Sequence, residues 1–441
     1  MDFAIAMCLF AAAVLTCLVR GCTLVYGLVA GFVGFAAMAL HRGCTVKALA
    51  RACLEGVRES LLVVRILCII GVLTAMWRMN GTIAFCTYYG VLAIPPRWFV
   101  VCAFALSAIV SYAIGTSLGV AGTIGIILMG IARSGGVNEY VAAGAILSGV
   151  YFGDRCSPMG SAANLVASLT QTELYGNVRR MLQTSVLPVA VCLAVYGVCS
   201  AFFLMQTRGT ALLDAIAQEF SMTPWLLAPL VIMLVLPMLR VNTCISAAAS
   251  ALCAGLEAAF IQHERAADIL HDALFGFSME SQTLGSVFSG GGLISMFNVA
   301  CILLISGTFP KILQLTGCLT QIQAKIEKSF SRCSRFALTA LLSLPLVAVF
   351  CSQIIAAMML NTLVEEPYRH AGASKQELAL DISNSVITMA PYAPWSLAIA
   401  VPMELMQVGP RVIFYIVIIF AVPLCYLLTK RLIFPEHARA R

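Results

Sequence analysis

Residues 147–165 read LSGVYFGDRCSPMGSAANL, and this stretch decides the fold. It places two charged residues, Asp154 and Arg155, inside a long apolar region, and Gly153 and Pro158 interrupt a helix beside them. A charge in hydrocarbon costs roughly 2.5–3.5 kcal/mol on insertion scales. A helix broken at membrane depth occurs where it lines a cavity or is buried in protein. Charge and break together therefore indicate a transport site.

The composition places the whole chain in a membrane. Of its 441 residues 61% are hydrophobic and 11% are charged, and the mean hydropathy is +0.96. Soluble domains have about 25% charged residues. We therefore predict an all-α polytopic membrane protein whose main partner is the lipid bilayer. The net charge of +7 follows from basic loops, so it does not indicate nucleic acid as a partner.

Apolar stretches near the roughly 20 residues that cross a bilayer recur along the chain. They lie at 3–19, 22–40, 61–77, 98–133, 137–170, 183–205, 225–240, 242–261, 296–315, 335–364, 376–407 and 411–430. Besides 137–170, three of them depart from simple spans. The breaks fall at Gly115-Thr116-Ser117, at Cys351-Ser352-Gln353 and between Pro391 and Pro394.

The chain resembles itself at an offset of 236 residues. The matching pairs include Gly56 with Gly292, Gly71 with Gly307, Gly81 with Gly317, Thr116 with the similar Ser352, and Pro158 with Pro394. Because the breaks match as well as the apolar residues, a duplication is predicted. The first repeat covers 1–206, with a hairpin at 98–133 and a broken helix at 137–170. The second covers 207–441, with a hairpin at 335–364 and a broken helix at 376–407.

The number of crossings predicts that the second repeat is inverted. If each hairpin dips into the membrane and returns, each repeat crosses five times, which is an odd number. About 10 transmembrane helices, two re-entrant hairpins and broken helices then make an inverted-repeat secondary transporter. Most of the 27 lysines and arginines fall on one side of this arrangement. That side is predicted to be cytoplasmic, with both termini on it. Residues 43–60 and 264–281 are expected to form helices in the membrane interface, or simple connecting segments.

Asp154 is the residue best suited to couple two ions. Burial disfavours the charged carboxylate unless a cation is near, so one carboxyl group can exchange a proton for sodium. Arg155 cannot easily fold back onto its neighbour, so its partner is expected elsewhere. A structural ion pair of Asp154 with some other basic residue is the alternative.

Neutral polar residues at the breaks complete the candidate site. A helix that begins at such a break offers free N–H groups to an anion, and unwound carbonyls and hydroxyls suit sodium. The predicted ion- or substrate-binding residues are Asp154, Thr116, Ser117, Ser157, Asn164, Ser352, Gln353, Asn384, Thr388 and Ser396. The predicted helix breaks are Gly115, Gly153, Pro158, Pro391 and Pro394. Asn384, Ser385 and Thr388 are expected to share one helix face, and Asp154 alone is assigned to a metal ion, sodium.

These residues resemble a known family. The segments GTSLGVAGTIGIILMGIA (115–132) and AGAILSGVYFGDRCSPMGSAANL (143–165) closely resemble the paired signature of NhaC-type sodium/proton antiporters, within the ion transporter superfamily. APYAPWS (390–396) is similar to that family's Ser-Pro-x-x-Pro-Trp element. The resemblance extends over roughly 50–410. It implies a scaffold, a mobile transport domain, elevator-like alternating access and a homodimer.

The chain departs from the family pattern at three places. Ser161 stands where the family commonly has a second aspartate, and Asn384 stands where it commonly has another. Cys351-Ser352-Gln353 replaces an acidic element of the second hairpin. These departures leave two interpretations. Sodium binds through Asp154 and neutral oxygens and exchanges for protons, or the scaffold carries a small carboxylate or amino acid driven by sodium or protons.

Other function classes fit the sequence less well. It contains no nucleotide-binding loop, no HExxH motif and no catalytic dyad with a supporting histidine, so an enzyme is not expected. A passive channel would need no broken inverted repeats. No cofactor is expected beyond a transported sodium ion. The expected location is the bacterial cytoplasmic (inner) membrane.

Overall fold

The computed structural model describes residues 2–203, 210–239, 241–279, 284–285, 288–317 and 334–433. Within these ranges the chain is helical apart from turns and an isolated bridge between Phe277 and Gly290. Eight of the described helices are long and apolar enough to cross a membrane, or up to ten if each of two bent pairs counts as one span. The predicted all-α polytopic membrane protein is thus confirmed.

The helices of the first half follow one another with short connections. They are α1 Asp2–Arg20, α2 Leu24–His41, α3 Val46–Met79, α4 Thr82–Ala93, α5 Phe99–Ile114, α6 Ser117–Ser134, α7 Glu139–Cys156, α8 Ser161–Thr170 and α9 Leu174–Phe202. A π-turn lies within α6 at Ala121–Gly125.

The second half has the same kind of organisation. Its helices are α10 Thr210–Glu219, α11 Ala228–Met238, α12 Thr243–Phe260, α13 Ala266–Phe275, α14 Ile294–Leu315, α15 Arg335–Phe350, α16 Gln353–His370, α17 Lys375–Tyr392, α18 Leu397–Met406 and α19 Val417–Ile433. α17 contains a π-turn at Ser383–Ile387 and meets α18 at an angle of 46°.

Two hairpins form at the predicted breaks. α5 ends at Gly115 (φ +78°) and α15 ends at Cys351 (φ +56°), and in each case the next residue is extended before a new helix begins. Glycine adopts this left-handed conformation freely, whereas cysteine adopts it at a cost. The helices thus end at 115–117, 351–353 and 391–394, where the sequence predicts breaks. The predicted break at Gly153 is wrong, because α7 continues through it to Cys156.

Each hairpin returns to the level at which it starts. In the second, Thr339 on α15 lies 2.9 Å from the Tyr368 hydroxyl on α16, and Arg335 donates to the Ala371 carbonyl at 3.5 Å, so the arms are antiparallel. In the first, α5 packs parallel to α7 along Gly149 and Gly153. Since α7 starts soon after α6 ends, the start of α5 and the end of α6 share one level.

The offset of 236 residues also relates helix bounds. Adding 236 to both ends of α5, α6, α7 and α8 gives the exact bounds of α15, α16, α17 and α18. Left-handed residues match in the same way, as with Gly136 and Gly372, or with Gln171 and Gln407. Backbone geometry at corresponding positions supports the predicted duplication.

The crossing of α3 and α14 supports the inversion. A Cβ atom at Gly56 would collide with Gly307, and one at Gly71 would lie 2.7 Å from the Gly292 carbonyl oxygen. The Gly292 amide donates to the Gly71 carbonyl at 2.8 Å. The offset relates Gly56 to Gly292 and Gly71 to Gly307, so the same contact is made twice. From the first of these contacts to the second, residue numbers rise in α3 and fall at α14. These equivalent helices therefore run in opposite directions.

One predicted element is wrong. Residues 43–60 do not form a separate helix, because α3 continues over 34 residues from Val46 to Met79, about 50 Å at 1.5 Å per residue. No proline interrupts it, and Gly56 alone does not end a helix. In the second half α13 is separate, because Gly276 (φ +97°) ends it. Residues 280–281, at the end of the predicted 264–281 segment, and the repeat boundary at 206/207 lie outside the described residues.

Candidate functional site

The two hairpin tips and the helix break at 157–160 meet at one cavity of about 280 Å³. Its polar wall includes Asp154 and hydroxyl or amide side chains from both halves of the chain: Thr116, Ser117, Ser161, Thr243, Ser352 and Gln353. Apolar residues such as Val63 and Ile66 of α3 close the remaining sides. Five of the ten predicted binding residues line this cavity, namely Asp154, Thr116, Ser117, Ser352 and Gln353.

Glycines bring the first hairpin against the broken helix. A Cβ at Gly149 or Gly153 would collide with the backbone of α5, and one at Gly115 would lie 2.7 Å from the Gly160 nitrogen. Small residues at such positions allow membrane helices to approach closely. The tip at Gly115 and the end of α7 therefore lie together, which places Asp154 beside Ser117.

Asp154 is held from both hairpins. Asp154 is 6% exposed, and its Oδ1 accepts a hydrogen bond of 3.3 Å from the Ser117 amide. The Ser117 and Gln353 side chains also lie within hydrogen-bonding reach of the carboxyl group. Ser117 and Gln353 are the first residues of α6 and α16, and the offset of 236 relates them. Equivalent positions of the two halves thus converge on one carboxyl group.

Several helices begin at the cavity wall. The first residues of α6, α8, α12, α16 and α18 all line it, so the positive ends of their dipoles face the same space. One of these N–H groups, on Leu397, is already bonded to the Cys351 carbonyl at 2.8 Å. The remaining positive ends stabilise negative charge, whether on Asp154 or on a bound anion.

One oxygen in the wall lacks a hydrogen-bond partner among the described residues. The Thr116 hydroxyl is buried and makes no hydrogen bond to any described residue. A buried hydroxyl without a partner costs about 1–3 kcal/mol. A cation bound between Asp154 and Thr116 would supply the missing interaction, because hard cations prefer carboxylate and hydroxyl oxygens. Asp154 and Thr116 thus offer oxygen donors of the kind that a sodium ion would bind.

Three predicted binding residues stabilise the helix breaks instead of lining the cavity. The Ser157 hydroxyl accepts from the Met159 amide at 3.2 Å. The Asn164 amide donates to the Gly160 carbonyl at 2.8 Å. Ser396 caps α18 by accepting from the Ala398 amide at 3.4 Å. Their hydrogen bonds hold the shape of the site, as do the turns around the predicted breaks Pro158, Pro391 and Pro394.

Asn384 and Thr388 also lie away from the cavity wall. The Thr388 hydroxyl donates to the Ser383 carbonyl, five residues earlier, at 2.8 Å. Asn384 is 0% exposed and its Oδ1 accepts a hydrogen bond from Arg155, while its Nδ2 has no partner among the described residues. The π-turn at Ser383–Ile387 directs Ile387 rather than Asn384 into the cavity.

Arg155 finds its partners away from Asp154, as predicted. Its guanidinium donates to Asn384, to the Ser185 hydroxyl and to the Met181 carbonyl on α9. Arg155 is 2% exposed, and in the described part of the chain no carboxylate lies within ion-pair distance of it. A buried cation with neutral partners leaves net positive charge beside the carboxylate of Asp154.

Sequence reasoning missed two polar residues of the wall. Ser161 follows the break and is notable in the sequence only for replacing an aspartate of the family pattern. Thr243 begins α12, more than 80 residues further on, and Asn242 caps that helix by accepting from the Cys244 amide at 2.8 Å. The signal was the polar pair Asn242-Thr243 ahead of an apolar run, which marks a helix start.

Comparison with known proteins matches residues 149–429 to the family model described as "Na+/H+ antiporter family". Similar curated proteins include an uncharacterized Na(+)/H(+) antiporter of Haemophilus influenzae, 29% identical over 78% of this chain and 76% of the relative. The Na(+)/H(+) antiporter NhaC of Alkalihalophilus pseudofirmus is 27% identical over 79% and 76%. A malate-2H(+)/Na(+)-lactate antiporter of Bacillus subtilis is 26% identical over 81% and 78%.

Proposed function

The chain belongs to the Na+/H+ antiporter family, and we propose that it exchanges sodium for protons with Asp154 as the group that binds either ion. The observation that carries this proposal is the convergence of Ser117 and Gln353, from the tips of both hairpins, on one buried carboxyl group. A carboxylate in a partly desolvated site needs either a proton or a cation. The two ions therefore compete for one place, which is the basis of exchange.

The same arrangement supports alternating access as part of the proposal. Val63 and Ile66 of the long helix α3, together with Thr243 of α12, form one wall, and the hairpin tips with Asp154 form the other. Movement of the hairpins and broken helices against α3 would carry the site from one side of the bilayer to the other. An elevator-like movement of this kind, in a homodimer in the bacterial inner membrane, is part of the proposal.

The proposal is tested with purified protein in proteoliposomes that contain a pH-sensitive dye. A sodium gradient should drive protons across the membrane in the direction opposite to the sodium flow. The exchange rate should saturate as the sodium concentration rises. Saturation and exchange distinguish a carrier from a channel. The absence of any pH change with both sodium and lithium gradients would contradict sodium/proton exchange.

A second candidate function rests on the size and polarity of the cavity. About 280 Å³ is far more space than one bare sodium ion fills, and several helix N-termini face it, an arrangement suited to a carboxylate. Relatives named as a malate-2H(+)/Na(+)-lactate antiporter of Bacillus subtilis and an arginine/ornithine antiporter of Halobacterium salinarum are 26% and 29% identical to this chain. Trapping short carboxylates or amino acids inside the same liposomes tests this candidate. A transported organic solute should drive uptake of the same solute from outside, and liposomes without trapped solute should show no such uptake.

Replacing Thr116 by valine is expected to weaken sodium binding. Valine keeps the shape and removes the unpartnered hydroxyl, so the sodium concentration for half-maximal exchange should rise about tenfold, equivalent to about 1.4 kcal/mol. Thr87→Val is the matched control, because Thr87 is also buried without a hydrogen-bond partner among the described residues but lies outside the cavity. An unchanged sodium dependence in Thr116→Val would remove Thr116 from the ion site.

Both chain termini are expected in the cytoplasm. Green fluorescent protein fused to the C-terminus should fluoresce, and alkaline phosphatase at the same place should be inactive. Phosphatase fused after Gly409, in the loop that joins α18 to the last helix, should be active because that loop is predicted on the opposite side. The reverse pattern would overturn the predicted orientation.

A further inference from the structure

A second buried carboxylate, Asp381, lies outside the cavity and has no role in the mechanism proposed above. Asp381 is 0% exposed and lies on α17. Its Oδ2 accepts from Lys430 at 2.5 Å and from the Tyr368 hydroxyl at 2.7 Å, and its Oδ1 accepts from the Tyr426 hydroxyl at 2.9 Å. Helices α16, α17 and α19 thus contribute to one buried polar group.

The ammonium of Lys430 is shared between two carboxylates. Glu377, one turn before Asp381 and 3% exposed, lies 2.7 Å from Lys430. Arg335, at the start of α15, lies 3.8 Å from the other Glu377 oxygen. The charged and titratable groups that face Asp381 are therefore Lys430 and Tyr426 from α19, Tyr368 from α16 and Glu377 from α17, with Arg335 behind Glu377.

A purely structural role explains this cluster poorly. Burying ions costs several kcal/mol each, and replacing a buried ion pair by apolar residues is often neutral or stabilising. Ionisable residues within membrane segments usually mark ion or proton pathways. Lys430 and Arg335 are 13% and 17% exposed at the side chain, so the cluster reaches solvent at the basic side. Lys430 and Arg335 lie on the predicted cytoplasmic side, so a proton would enter the cluster along this basic edge.

Asp381 is also connected to the cavity. The π-turn of α17 begins two residues after it and carries Asn384 to Arg155 and Ile387 into the cavity wall. Asn384 Nδ2 is fully buried without a partner in the described part of the chain, so this segment has an unsatisfied group that a shift could satisfy. The segment that lines the cavity through Ile387 is thus continuous with the helical turn that carries Asp381.

We propose that Asp381, held by Lys430, Tyr368 and Tyr426, is a second proton-carrying group, so that two protons exchange for each sodium ion. This inference rests on the proposed sodium/proton exchange. Sodium displaces one proton from Asp154, and the second proton leaves the Asp381 cluster to the same side. Two positive charges then cross against one, so each cycle moves one net charge. An exchanger with Asp154 alone would be electroneutral.

The stoichiometry is measured as the condition of zero flux in proteoliposomes. Potassium with valinomycin sets the membrane potential to zero. For a given sodium gradient, net flux then stops at a certain pH difference across the membrane. That pH difference is half as large for an exchange of two protons per sodium as for an exchange of one. Wild-type protein is expected to stop at the smaller pH difference, and Asp381→Asn at the larger. Glu366→Gln is the control, because Glu366 is a partly exposed acid that pairs with Arg369 outside the cluster.

Protons released on sodium binding in weakly buffered detergent provide a second measurement that needs no transport. We expect two per sodium for wild type and one for Asp381→Asn. Tyr426→Phe, a milder change, should keep two protons but change the pH at which the second is released. Wild-type protein that exchanges or releases one proton, or Asp381→Asn that still gives two, would overturn the inference. A wild-type protein without any sodium-dependent proton movement would instead contradict the proposed function itself.

Discussion

Asp154→Asn protein is expected to show no sodium-driven proton movement above that of empty liposomes, while it still inserts and folds. Asparagine fills the same space and still accepts from the Ser117 amide, at present 3.3 Å away. It neither carries a proton nor supplies a negative charge for sodium, so both ions lose their site. We expect at least a hundredfold loss of rate, measured by the dye assay at equal amounts of reconstituted protein.

The controls separate this loss from misfolding. Asp268→Asn makes the same chemical change at an exposed position of α13 and should exchange at the wild-type rate. Asp154→Glu keeps the charge but displaces it, and should retain sodium-dependent exchange with weaker sodium affinity. Thermal stability of Asp154→Asn should equal or exceed that of wild type, since a buried charge has been removed. Wild-type rates in Asp154→Asn would exclude Asp154 as the ion-binding group.

Gly153→Ala is expected to destabilise the protein although it adds one methyl group. The new Cβ would collide with Cβ of Ser111 and with backbone atoms of Ser111 and Tyr112 on α5. Backbone cannot move aside as a flexible side chain can, so α5 and α7 must separate. Overpacking of this kind costs typically 1–3 kcal/mol, and we expect about 3 kcal/mol here. Because Asp154 is the next residue, exchange should also fall.

A matched substitution tests this explanation. Gly197 lies within α9, and a Cβ there meets no atom within 4 Å. Gly197→Ala should therefore be neutral or slightly stabilising, because alanine favours the helix. Melting of both variants in detergent, followed by size-exclusion chromatography after heating, compares them. Equal melting temperatures would show that the α5–α7 contact is looser than the structure indicates.

The sequence was sufficient to predict the breaks and the hairpins, because the signals are local. Gly115 and the prolines at 391 and 394 disfavour a helix at their own positions. The repeat then located the second hairpin from the first. The tips at Ser117 and Gln353 were expected near Asp154 for the same reason, and the cavity contains all three.

The sequence alone could not predict which side chains enter the cavity or which remote helices meet there. Asn384 was expected in the binding site, but it lies in the π-turn at Ser383–Ile387 and its side chain accepts from Arg155 instead of lining the cavity. Thr243 joins the cavity from a remote helix that only the packing of α12 against α3 brings near. The continuity of α3 from Val46 past residue 60 depends on the absence of a strong break, and such an absence is a weak signal in a sequence.

The doubled glycine contact between α3 and α14 has a bearing on ancestry. Gly56 against Gly307 and Gly71 against Gly292 are one contact seen from its two ends. Two copies of a half-length polypeptide, inserted in opposite orientations, would make this same contact across a two-fold axis. Fusion of their genes would fix one orientation for each copy and free the two to diverge. Among the residues that line the cavity, Asp154 is the acidic one, and it belongs to the first half. A symmetric dimer of identical chains would have had two such acids, so this difference could arise only after fusion.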